Sequence, residues 1–100
     1  MTTKIIYNDC YGGFGLSDLA EAALGRAGCT PNEIDDFRYE NRHDPRLVRV
    51  VETMGSDLAS GPCSALRVAE VSGSKYRVYQ YDGAETIQTP EHIRWVEIPD

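Results

Sequence analysis

One hundred residues with 41% hydrophobic content make one domain with one modest core. Sixteen acidic residues stand against ten basic ones, a net charge of -6, which argues against direct nucleic-acid binding and leaves room for a basic partner. No apolar run is long enough to span a membrane, and Cys10, Cys29 and Cys63 have neither the close pairs of a zinc site nor the even count of a disulfide framework.

Residues 3–8 read as a short strand that ends in turn chemistry. The loop Tyr11-Gly12-Gly13-Phe14-Gly15 follows, tight enough for a packed corner yet rich enough in rings to be a binding lip. Ser17 is a good N-cap and Asp18 suits the first helical position. Leu16, Leu19, Ala20, Ala23, Leu24 and Ala27 recur at helical spacing, which predicts a helix over 18–27 closed by Gly28. Thr30-Pro31-Asn32-Glu33 has capping-box spacing and predicts one helical turn through Asp36. Residues 37–41 alternate aromatic and charged, as a half-buried strand would.

Asp44-Pro45 opens a second long helix, with Leu47, Val48, Val51, Met54 and Leu58 assigned to its buried face and Gly55 as its stop. Residues 65–71 and 75–81 read as a hairpin around Ser72-Gly73-Ser74. Asp82-Gly83 makes another turn, 85–88 a short strand, Pro90 a breaker, and 93–98 a last strand holding Trp95. This order predicts an α+β domain over 1–100, two helices packed on one face of a mainly antiparallel sheet.

The glycine loop lacks both a Gly-Lys-Ser/Thr ending and G-x-G-x-x-G spacing, and Asp9 and Asp18 flank it, so it is not a phosphate loop by sequence. Nothing in the spacing brings Cys10 to His43, and no enzyme, metal or cofactor is expected. The Arg42-His43-Asp44-Pro45-Arg46 corner reads as capping plus surface ion pairs. Tyr79 and Tyr81 share one strand face and Tyr76 takes the other, with the rings expected in packing. The acids fall in two groups, Glu33, Asp35, Asp36, Glu40 and Asp44, then Asp82, Glu85, Glu91, Glu97 and Asp100. Such carboxylates can compete with DNA phosphates where they line up on one face.

Tyr-Gly-Gly-Phe-Gly-Leu-Ser at 11–17, Arg-His-Asp-Pro-x-Leu-Val-x-Val-Val-Glu at 42–52 and Tyr-Asp-Gly-x-Glu at 81–85 occur in the same order in small phage and virus proteins. The chain resembles these across nearly its whole length. It also resembles small phage-type anti-CRISPR proteins, in particular those acting on type I-C systems. The resemblance implies a non-enzymatic inhibitor; a monomer in the cytoplasm of an infected bacterium is the expectation beside it. It would bind a Cascade subunit at a basic DNA-binding groove and keep target DNA out by acidic DNA mimicry. Glu33, Asp35, Asp36, Glu40, Asp44, Glu85, Glu91 and Glu97 are the partner-binding candidates. None of the shared motifs is strongly acidic, which assigns the motifs to the fold. The alternative is a small ligand-binding module that grips a nucleotide-like signal with Tyr11, Gly12, Gly13 and Phe14.

Overall fold

Residues 2–72 and 75–89 are described in a computed structural model of the chain. They form β1 (Thr2–Asn8), α1 (Asp18–Arg26), α2 (Pro31–Asp36), α3 (Pro45–Met54), α4 (Ser56–Ala59), β2 (Leu66–Ser72), β3 (Arg77–Tyr81) and β4 (Ala84–Gln88). The fold is α+β, as the order of elements predicts. It differs in detail, with four helices and two separate two-stranded antiparallel sheets among the described residues.

Local chemistry sets the helix boundaries. The Ser17 hydroxyl accepts the Ala20 amide and starts α1. Thr30 and Glu33 exchange both bonds of a capping box around α2, with Pro31 at its first turn. Asp44 accepts the Arg46 amide ahead of Pro45 and starts α3, and Gly55, at φ +84°, stops it. The chain then enters α4 at once, an extra turn that moves Leu58 off the α3 face and leaves it 58% exposed. Leu19 is likewise 61% exposed rather than part of the buried stripe, and Val50 joins Leu47, Val48 and Val51 in the interior.

Residues 37–41 are not a strand. The Phe37, Arg38, Tyr39 and Glu40 amides donate back to Glu33, Asp35, Asp36 and Asp36 carbonyls, so α2 runs on into irregular turns that end at Asn41 with φ +59°. Phe37 is buried and Tyr39 exposed within this turn. The alternation therefore reflects one anchored ring and one free ring.

The expected hairpin of 65–71 with 75–81 is also replaced. β2 pairs with β1, from Thr2 opposite Ser72 to Asn8 opposite Leu66, while β3 pairs with β4 around Asp82 and Gly83, both at positive φ. Two left-handed residues are what a two-residue type I′ turn requires. Residues 73–74 of the expected turn, Pro90 and the expected 93–98 strand with Trp95 lie outside the described residues.

Ile6 and Leu66 face the helices and close the core with Phe14, Ala20, Leu24, Phe37, Leu47 and Val51. Ile5 points to the other face of β1 and is also fully buried, so this strand is covered on both sides. Tyr79 and Tyr81, expected in packing, are 53% and 67% exposed. None of the helices is long and apolar enough to cross a membrane among the described residues.

Candidate functional site

The centre of the molecule is an arginine. Arg42 is 2% exposed, and its guanidinium uses all its donors. Nε donates to the Phe37 carbonyl. Nη1 donates to Ile6 O at 3.3 Å and Glu85 Oε1 at 2.7 Å, and Nη2 to Arg38 O at 2.6 Å and Glu85 Oε2 at 2.8 Å. The Phe14 ring lies under the guanidinium carbon at 3.8 Å, a cation–π contact that desolvation strengthens. Glu85 also accepts the Asn8 amide at 2.8 Å. A buried ion pair tolerates loss of water only when its remaining polar atoms are paired, and here they are.

Asn8 completes the junction. Its side-chain amide donates to Cys10 O at 2.6 Å and Gly83 O at 2.8 Å, and its carbonyl accepts the Ala65 amide at 2.9 Å. A Cβ on Gly83 would overlap the Tyr11 carbonyl and come within 2.6 Å of the Gly13 nitrogen. One on Gly12 would overlap the Cys63 backbone. Phe14, Arg42 and Glu85 come from the three sequence stretches at 11–17, 42–52 and 81–85. Those stretches meet at this one junction.

A groove of about 350 Å³ opens above it, lined by Gly12, Gly13, Phe14, Arg38, Tyr39, Gln80 and Glu85. Arg42 sets both of its walls, holding the Phe37 and Arg38 carbonyls on one side and Phe14 on the other. Of the loop residues proposed to touch a ligand, Gly12, Gly13 and Phe14 line the groove, while Tyr11 projects to solvent.

The acidic candidates divide by position. Glu85 is 5% exposed, and Arg42 takes both of its oxygens. It therefore cannot face a partner, which corrects its assignment to the docking surface. Glu33 and Asp44 are tied into the α2 and α3 caps and both hold Arg46, at 2.8 Å and 2.9 Å. The Thr30 amide and then Arg46 draw the Glu33 carboxyl below its ordinary range. Arg46, outweighing partial burial, does the same to Asp44 and is itself held further above its ordinary value. Asp35, Asp36 and Glu40 are exposed and belong to none of the ion pairs found among the described residues. Glu91 and Glu97 lie outside the described residues.

Asp44 and Arg46 match the capping and ion-pair reading of the 42–46 corner; Arg42 does not. Its burial had no periodic signal to reveal it. His43 Nδ1 lies 2.7 Å from the Tyr76 hydroxyl, whose titration burial pushes up. The imidazole is thus engaged by a phenol and not by Cys10. Burial also raises the Cys29 thiol, while Cys63 is exposed. Comparison with known protein families, with curated proteins and with solved structures finds no match for this chain.

Proposed function

We propose that the chain is an inhibitor that lays the acidic turn of α2 on a basic nucleic-acid-binding groove of a type I Cascade complex and competes there with target DNA. One observation carries the reading. Asp35 and Asp36 form the last residues of α2, with no basic residue in that turn, and exposed Glu40 follows one turn later. A helix C-terminus disfavours anions. Three carboxylates at that end with no ion pair among the described residues act against the stability of their own element, and local rules are broken in this way where a surface serves a partner. The two other acids of the 33–44 group, Glu33 and Asp44, hold caps.

The test is charge reversal. Asp35→Lys, Asp36→Lys and Glu40→Lys together should weaken binding to the purified complex by at least about a hundredfold, as losing several phosphate-like contacts does. Reversal of Asp57 and Glu70, exposed on other elements, should change it little. Binding of the wild-type chain should also fall steeply with salt. Undiminished binding by the triple variant, with its melting temperature unchanged, would overturn the reading.

A second reading rests on the groove above Phe14. Tyr39 offers a ring, Arg38 a cation and Gln80 an amide around one opening, a set suited to a nucleotide-like ligand. Retention of a nucleotide through dialysis, lost in Tyr39→Ala, would favour it over the inhibitor.

A further inference from the structure

Leu19 and Leu58 are the two leucines that the described fold leaves more than half exposed, at 61% and 58%. They lie on either side of one seam. The Ser17 hydroxyl donates to Leu58 O at 2.6 Å, and the Ser17 amide to Ala59 O at 2.9 Å, which fixes α4 against the start of α1. At 100° per residue, the exposed positions Asp18, Leu19, Ala22 and Arg26 fall within one stripe of α1, about 100° wide. Ala20 and Leu24, on the opposite side of α1, are its buried residues.

We propose that this stripe and Leu58 dock a second copy of the chain, with the two α1 helices antiparallel across a twofold axis at Ala22. The stripe is self-complementary in charge. Asp18 opens it and Arg26 closes it, and Ala22 stands midway between them in sequence. An antiparallel partner therefore sets Asp18 of each copy against Arg26 of the other, with both pairs formed by the same operation, as a twofold interface demands. Ala22 and exposed Gly25 bear no bulk, so the helices approach closely and each Leu19 enters the space that Ala22 and Gly25 of the other copy leave. In a parallel arrangement Asp18 would meet Asp18. A more acidic partner would meet Asp18 and Asp57 as like charges, and a second copy supplies the one base this stripe needs.

The acidic surface stays open in such a dimer. Glu21 lies 200° from Leu19 around α1 and borders the cleft it shares with Asp35 and Arg38. The pairing is independent of the inhibitor reading, and it replaces the monomer expected from sequence. The patch is small, so association should depend on concentration.

Sedimentation velocity of the full chain over a wide concentration range tests this. The expected result is a monomer–dimer equilibrium in the wild type. Leu19→Glu should raise the dissociation constant at least about tenfold, the size of a modest interface anchor, with an unchanged thermal melt in dilute solution, where both proteins are monomers, because Leu19 is exposed. Arg26→Glu should weaken the dimer, and Asp18→Arg combined with Arg26→Glu should restore it above the single variant. A wild-type monomer at every concentration would overturn the proposal. So would a dimer indifferent to Leu19→Glu, and failure of the charge swap to recover association would overturn the antiparallel pairing.

Discussion

Gly12, Gly25 and Gly83 put three different demands on an added methyl group. At Gly25, inside α1, a Cβ meets nothing of its own chain within 4 Å, so in dilute solution, where the chains are apart, the effect is on backbone entropy. Gly25→Ala should therefore stabilise the protein by about 0.5–1 kcal/mol. At Gly12 the methyl would overlap the Cys63 carbonyl and Cβ, a backbone collision that costs about 1–3 kcal/mol. At Gly83 overlap with the Tyr11 carbonyl adds to a backbone at φ +89°, so strain and overpacking together should cost about 2–5 kcal/mol. Urea unfolding of the three alanine variants should rank them Gly25, Gly12, Gly83 from most to least stable. Equal midpoints would mean that the loop and the β3–β4 turn do not pack as they stand here. The glycines at 12 and 83 thus act first as folding elements, and the Phe14 ring beside them lines the groove only because the loop is held.

Elements separated in sequence are joined through Arg42. It ties β1 through Ile6, the turn after α2 through Phe37 and Arg38, and the β3–β4 hairpin through Glu85. Arg42→Met would leave a buried carboxylate unpaired, at a cost of about 3–5 kcal/mol. Adding Glu85→Met should recover part of that loss, since the stranded charge goes with it. The recovery should stay incomplete, because three carbonyls and the Asn8 amide remain without partners. Hydrogen exchange should show the hairpin amides of the single variant opening first. A double variant less stable than Arg42→Met would contradict the account of the pair as a burial penalty offset by mutual attraction. What could be read from sequence at this scale was local. Ser17, the Thr30–Glu33 box, Asp44-Pro45, Gly55 and Asp82-Gly83 each fix a boundary by bonds within a few residues, and all act as expected. The choice of β1 over β3 as the partner of β2 is non-local, and adjacency in the chain pointed to the wrong neighbour. Five alternating residues at 37–41 could not distinguish a strand from a turn with one buried ring. Arg42 was invisible for the same reason: its burial depends on Glu85, 43 positions away.

For the whole molecule, acid should expose a competition between two charge effects. The net charge of -6 makes exposed carboxylates repel one another, and protonating them relieves that strain. Glu33 and Asp44, in contrast, are held below their ordinary values by the Thr30 amide and Arg46. A carboxyl with a depressed folded value adds stability that is complete above its unfolded value, about 4. That stability is lost as pH falls through the folded value. Repulsion among exposed groups is screened beyond about 8 Å at physiological ionic strength, whereas the cap contacts at 2.8–3.1 Å are not. The caps should therefore prevail in 0.15 M salt, and the melting temperature should fall from pH 6 to pH 3. Asp44→Asn keeps an oxygen to accept the Arg46 amide but cannot titrate. It should start lower at pH 6, having lost the attraction to Arg46, and fall less on acidification, so that the two curves draw together as the pH falls. A wild-type melting temperature that rises down to pH 4 in this salt would show that self-repulsion, rather than the joined caps of α2 and α3, governs the stability of this acidic chain.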